Sequence, residues 1–348
     1  MRRVALWAGF AVALAFLILT VTNASWLAPN PPGAPKQIAH RGVGLEVRGS
    51  WDDGCIANRI AEPTSRHLPN TTGSILRADR MGGWLIEVDA QLAKDGEVML
   101  LSDSDLACLT DGKGKVSDKS VEELQALDAG YRYTADNETT FPFRGTGLTI
   151  PTLGEIARAL PVQARLMVHM QGDDPALADA VASSLKAARR DPQKTGDGFY
   201  GSAPAVARIR ELYPDVWAFT PERARRCAAE YKETGWSGLI PASCEGGTML
   251  IALDEQALLW GWPNRLIARM TDAGAKIIME APGYAPPGEI SGITLPEQLT
   301  QIPSSFNGYV WTDDAFNTLP ALIPRFDNRN QAEIDASQAA LERRRNTQ

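Results

Sequence analysis

Two short stretches carry the residue types needed for phosphate chemistry. The first, Gln37-Ile38-Ala39-His40-Arg41-Gly42, is an apolar run that ends in histidine, arginine and glycine. The second, Ile86-Glu87-Val88-Asp89, sets two carboxylates two residues apart in an apolar segment. Side chains two apart on a strand share a face, so Glu87 and Asp89 project together. Paired carboxylates, an imidazole and a guanidinium are the parts that hold a divalent cation against a phosphate. The apolar neighbours Leu85, Ile86 and Val88 mark the strand as buried, which argues against a merely solvated pair.

These residues need a scaffold, and the chain alternates strand-like and helix-like segments. Strands are predicted at Gln37–Ala39, Trp84–Gln91, Val98–Leu101, Leu166–Met170, Asp215–Phe219, Gly238–Pro241, Lys276–Glu280 and Gly308–Trp311. Helices are predicted at Gly73–Met81, Thr152–Leu160, Pro175–Ala188, Ala203–Leu212, Arg223–Glu233 and Pro263–Ala273. Strand-then-helix order predicts an α/β fold with a parallel sheet, here a TIM (β/α)8 barrel. Such a barrel carries its chemistry at the C-terminal ends of the strands. His40, Glu87, Asp89, Ser102 and His169 all fall at or near such ends. Val43–Asn70 and Tyr131–Thr149 read as loop insertions, and His67, in the first, is given no role.

The chain has 348 residues, 44% of them hydrophobic, and a net charge of −7. That suffices for one large domain, expected over residues 37–324. The acidic balance argues against nucleic acid, which requires a basic surface. Residues 1–24 read as a membrane anchor or signal segment: Arg2 and Arg3 precede an apolar run from Val4 to Val21. That run is close to the ~20 residues that span a bilayer. An uncleaved anchor is the preferred reading, giving a single-pass inner-membrane protein with its body in a periplasm-like space. Cleavage near Ala24 would instead release a periplasmic or secreted body. Residues 25–36 form a Pro-rich linker, and residues 325–348 a polar tail, read as a solvated helix or a frayed end. Four cysteines without a Cys-x-x-Cys pair argue against zinc ligation by thiolates. Their spacing points to Cys55–Cys108 and Cys227–Cys244, one of three possible connectivities, in an oxidising compartment.

The ordered set of motifs resembles the glycerophosphodiester phosphodiesterase family. It comprises His40-Arg41-Gly42, Asn70-Thr71, Ile86-Glu87-Val88-Asp89, Asp95-Gly96, Asp103, Leu106, Thr110-Asp111-Gly112, Gly114, Leu124, Leu127-Asp128, Ile150-Pro151-Thr152-Leu153 and Gly308 to Asp313. The Cys55 loop, Phe141-Pro142-Phe143-Arg144 and Trp260-Gly261-Trp262-Pro263 resemble an exported bacterial subgroup. The resemblance runs from Ile38 to Leu322 and implies a TIM barrel that cleaves glycerophosphodiesters to glycerol phosphate and an alcohol. It implies two histidines acting as acid and base, with a divalent metal, Mg²⁺ or Ca²⁺. A glycerophosphodiester or lipid headgroup is the implied ligand.

Residue by residue, His40 matches the first catalytic histidine and Arg41 the phosphate-binding arginine. Glu87 and Asp89 match two metal ligands. The chain then departs from the pattern. The family's His-Asp pair reads Ser102-Asp103, the glutamate before Asn70-Thr71 is Pro69, and the glutamate and lysine of a later strand are His169 and Gln171. Serine cannot take up a proton near neutral pH, and losing such a group typically costs ~10²–10⁴ in rate. A neutral His169 ligand would favour Mn²⁺ or Zn²⁺ over Mg²⁺ or Ca²⁺. The alternative to an active hydrolase is a barrel that binds a phosphodiester or lipid headgroup without turnover.

Overall fold

A computed structural model of the chain describes residues 2–49, 54–136, 138–283, 285 and 288–346. The helix Arg2–Asn23 stands at the N-terminus, and residues 28–35 carry the chain to the barrel without regular structure. The strands are β1 (Lys36–Ala39), β2 (Leu85–Leu92), β3 (Val98–Leu100), β4 (Leu166–Met170), β5 (Gly198–Gly201), β6 (Trp217–Phe219), β7 (Thr248–Ala252), β8 (Lys276–Glu280) and β9 (Tyr309–Thr312). Eight of them pair in parallel in the order β6-β5-β4-β2-β1-β9-β8-β7, a nearly closed TIM barrel, while β3 folds back antiparallel on β2.

Alternation along each strand sorts side chains between two cores. Ile86, Val88 and Ala90 of β2 pack outward against helices, with Leu166, Val168 and Met170 of β4. Ile38, Leu85, Met167, Tyr200 and Trp311 fill the barrel interior. The period-two pattern therefore sends Leu85, Glu87 and Asp89 inward together, and Met167 with His169 likewise.

Two strands escaped the sequence reading, and one predicted strand is a loop. Gly198-Phe199-Tyr200-Gly201 is only four residues, two of them glycine, and offers no periodicity. The strand expected at Gly238–Pro241 lies instead at Thr248–Ala252, and Leu239 is 70% exposed. Two apolar residues before a proline were too little signal to separate a loop from a strand.

The two insertions share a satellite core. Leu45, Ala57, Ile60 and Leu68 from the first pack with Tyr133 and Phe143 from the second. Residues 50–53 and 137 of these insertions lie outside the described residues. The Cys55–Cys108 disulfide (Cα–Cα 5.3 Å) fastens the first insertion to the helix after β3. Cys227–Cys244 (Cα–Cα 4.9 Å) ties the helix Pro221–Thr234 to the loop before β7.

The C-terminal helix Gln331–Asn346 is not a solvated appendage, as the polar tail led us to expect. Arg344 is 1% exposed and pairs with Asp314 at 2.9 Å and Glu46 at 3.1 Å. A single buried arginine in a charged run leaves no apolar periodicity to read.

His67 packs edge-on against Phe316, and its Nε2 is buried without a partner. Burial and the nearby Arg77 push its pKa down to about 4, from 6.5. The unfolded chain therefore takes up a proton at a pH where the folded chain does not. Stability from this group is complete above its unfolded pKa and is lost as pH falls toward about 4. At ~1.4 kcal/mol per pKa unit the loss reaches roughly 3 kcal/mol. Urea unfolding of wild type and His67→Gln at neutral pH and at the acid end of that window should show wild type losing more stability by about that amount. Parallel losses would remove His67 as the cause.

Candidate active site

Parallel register brings the site together. Ala39 pairs with Ile86 on one side and Thr312 on the other, so the next residue, His40, stands beside Glu87 and Asp313. Asp89 pairs with His169, and His169 with Tyr200. The chain turns sharply after His40: Arg41 has φ 59° and Gly42 φ 79°. A side chain at Gly42 would place a carbon 2.6 Å from Ser74 Oγ and 2.8 Å from the Ile75 nitrogen, so only glycine fits. The left-handed turn at Arg41 is held by its own backbone. Its N–H donates to Glu87 Oε2 (2.9 Å), and its carbonyl accepts from the Asn70 N–H (3.0 Å) and Ser74 Oγ (3.0 Å).

Asp89 is fully buried and accepts four hydrogen bonds. Arg41 Nε (2.6 Å) and Asn70 Nδ2 (2.9 Å) reach Oδ2, while His169 Nδ1 (2.8 Å) and Gln171 Nε2 (3.0 Å) reach Oδ1. Burial alone would raise its pKa, but Arg41 and His169 hold it well below the usual carboxylate range. At Glu87 the balance reverses: burial and the charge of Asp89 outweigh His40, His169 and Arg41 and push it up to about 7. Its Oε1 accepts from the Tyr200 hydroxyl at 2.9 Å.

His40 is oriented by Asp313, whose Oδ1 lies 2.5 Å from Nδ1. This bond leaves Nε2 aimed at Glu87, 3.7 Å away, buried and without a hydrogen-bond partner. Burial and Arg41 pull the imidazole pKa down, yet Asp313 and Glu87 outweigh them and raise it. The His169 ring stacks on Tyr200 at 4.2 Å, and its bond to Asp89 raises its pKa against the effect of burial.

Among the described residues, His40, Glu87 and Asp89 offer ligand atoms all within 4.8 Å of one another. With the unpartnered His40 Nε2, this donor set fits a divalent cation. His169 had been expected to complete the set with Glu87 and Asp89. It is not among the three residues grouped so closely, and its Nδ1 bonds Asp89 instead. Ser102, Asp103, His169, Gln171 and Glu289 line one cleft of about 540 Å³. His40, Arg41, Glu46 and Asp313 line a neighbouring cleft of about 220 Å³. Arg41 Nη2, 3.8 Å from Glu289 Oε2, stands between them. Ser102 pairs through its hydroxyl with Tyr133 and accepts from Gln171 Nε2 on its carbonyl (3.2 Å), while Asp103 shapes a turn by accepting the Asp105 N–H (2.9 Å).

Residues 54–188 match the family model described as "Glycerophosphoryl diester phosphodiesterase family". The fold is also that of the glycerophosphoryl diester phosphodiesterase domain of the uncharacterized Mycobacterium tuberculosis protein Rv2277c. That crystal structure aligns with a TM-score of 0.57 and 20% identity over 84% of this chain and 99% of the other. The matched segment thus resembles the glycerophosphodiester phosphodiesterase family, and over the rest of the chain the likeness is one of fold. In sequence, Rv2277c is 35% identical over 139 residues, 39% of this chain and 46% of that protein. A putative glycerophosphodiester phosphodiesterase of Bacillus subtilis, YhdW, is 30% identical over 149 residues, 42% of this chain and 57% of its own length. The matches thus span about half the length of these curated relatives. An Oleispira antarctica phosphodiesterase, solved in complex with the product sn-glycerol-3-phosphate, shares the fold at a TM-score of 0.54 and 19% identity, over 83% of this chain and 96% of that one.

Within this glycerophosphodiester phosphodiesterase fold, sequence reading left four site residues without a role. Asn70 and Asp313 lie in motif stretches, but their contacts to Asp89 and His40 depend on strand register. Tyr200 sits on the strand that was not predicted. Glu289 follows β8 in an irregular loop and gave no signal.

Proposed function

We propose that this protein hydrolyses glycerophosphodiesters to glycerol phosphate and an alcohol at the site built around His40 and Arg41. The observation that carries this reading is His40 Nε2: buried, unpartnered and fixed by Asp313 toward the Glu87–Asp89 pair. Glu87 and Asp89 would hold a divalent cation, which when bound neutralises phosphate charge and acidifies the attacking hydroxyl, leaving His40 Nε2 free to take a proton. Arg41 donates to the phosphoryl oxygens through its remaining N–H groups. His40 accepts the proton of the attacking hydroxyl, and Asp313 stabilises the imidazolium that forms. Ser102 cannot protonate the leaving alkoxide. His169 takes that role, since it lines the adjoining cleft and its bond to Asp89 favours the protonated ring.

The helix Arg2–Asn23 anchors the protein in the membrane, with the disulfide-bonded body in a periplasm-like space. Support comes from 21 residues of mean hydropathy 2.5 with none of the window buried against the barrel, and from Arg2 and Arg3 ahead of it.

The assignment of roles is tested by paired variants assayed for glycerol phosphate release. His169→Gln should lower turnover by ~10²–10⁴, the usual cost of losing a general acid. Adding Ser102→His to that variant should restore part of the loss by returning an imidazole to the same cleft. Unchanged turnover in His169→Gln would remove His169 from the reaction.

A further inference from the structure

The barrel carries a concentrated apolar surface that the catalytic site does not use. Outside the N-terminal helix, nine large apolar side chains are exposed among the described residues. Six of them fall in three short segments: Trp26 and Leu27, Trp236 and Leu239, and Leu258 and Trp260. Exposed apolar side chains scattered singly need no explanation, but their gathering in one place does.

The three segments converge on the end of the helix Arg2–Asn23. Arg269, on the helix Asn264–Asp272, is the centre of the junction. Its guanidinium donates to the Thr22 carbonyl (3.0 Å), Asn23 Oδ1 (3.1 Å), the Gly235 carbonyl (3.0 Å) and the Tyr231 hydroxyl (2.7 Å). Asn23 Nδ2 donates to the Trp236 carbonyl at 2.9 Å. The Tyr231 hydroxyl donates to the Trp260 carbonyl at 3.0 Å. Ser25 Oγ, beside Trp26, accepts the Asn264 N–H at 2.9 Å. The apolar helix is thus bonded directly to the barrel, although a Pro-rich linker separates the two in sequence.

We propose that this collar is a membrane-seating surface: Trp236, Leu239, Leu258 and Trp260 rest in the headgroup region of the bilayer that the helix enters. The proposal rests on reading the helix as an uncleaved anchor. A helix spanning the hydrocarbon core leaves its last turn at the interface, and whatever is bonded to that turn is held at the same depth. Tryptophan is the residue enriched at that depth, its ring lying among the headgroups. Three tryptophans, Trp26, Trp236 and Trp260, surround this helix end. The barrel is therefore held against the lipid surface in one orientation rather than swinging on a flexible tether.

The test uses the full-length protein in phosphatidylcholine–phosphatidylglycerol vesicles, with a nitroxide on one introduced cysteine per variant. Collision with oxygen, which concentrates in lipid, is compared with collision with a water-soluble nickel chelate. Leu239→Cys, at a 70% exposed site, and Phe16→Cys, in the helix, are expected to favour oxygen severalfold over Val162→Cys, 81% exposed in the loop before β4. Phe16→Cys in lipid with Leu239→Cys as nickel-accessible as Val162→Cys would overturn the collar and leave the anchor standing. Nickel access at Phe16→Cys would overturn both. Shielding of Leu239→Cys from both reagents would mean a second copy covers the face, which also overturns the proposal.

Discussion

Replacing His40 with alanine is expected to lower glycerophosphodiester turnover by ~10²–10⁴ while leaving the fold intact. The side chain is 3% exposed and its Nδ1 bond to Asp313 is lost with it, but Asp313 keeps the Gly292 N–H on its other oxygen, so the damage stays local. Functionally its Nε2 is placed beside the Glu87–Asp89 pair to accept a proton under the control of Asp313. Circular dichroism of His40→Ala should match wild type, with an unfolding cost of ~0.5–3 kcal/mol, the usual range for point substitutions. A variant that kept full turnover would place the chemistry elsewhere on the barrel.

Asp89→Ala is expected to cost the most stability, ~3–5 kcal/mol, because it leaves buried cations without their counter-charge. Four donors converge on this carboxylate from β1's exit turn, the loop before the helix Thr72–Arg80, and β4 with the residue that follows it. Asp89 thus binds three segments of the barrel mouth together as well as serving the site. Asp89→Asn should recover only part of the loss, since its amide N–H groups would face donors. The urea unfolding midpoint reports the effect. A change within ~0.5 kcal/mol, typical of surface substitutions, would show that Arg41 and His169 find other partners.

The inward face of β2 was legible because it obeys a local rule. Leu85, Glu87 and Asp89 alternate with Ile86 and Val88, and that period survives in the structure. The turn at His40-Arg41-Gly42 was legible from its glycine. What stayed hidden depends on contacts between distant segments. Asp313 becomes the orienting partner of His40 only once β1 and β9 pair in register, across 273 residues. Tyr200 reaches Glu87 across 113 residues from a strand too short and glycine-rich to predict. The junction of Arg269 with Thr22 and Asn23 is similarly invisible, since helix and barrel look separable in sequence. His169 was recognised as a departure at a ligand position, but its bond to Asp89 could be read only from the paired β2 and β4.

The divergence at Ser102 makes turnover itself the decisive quantity. The measurement is release of glycerol phosphate from a glycerophosphodiester by the full-length protein, with Mg²⁺, Ca²⁺, Mn²⁺ or Zn²⁺ supplied in turn and then chelated. The expected result is product formed with at least one cation, lost on chelation and lost in His40→Ala. Saturable binding of the phosphodiester with no product under any cation would contradict it, and would leave a barrel that binds this ligand without cleaving it.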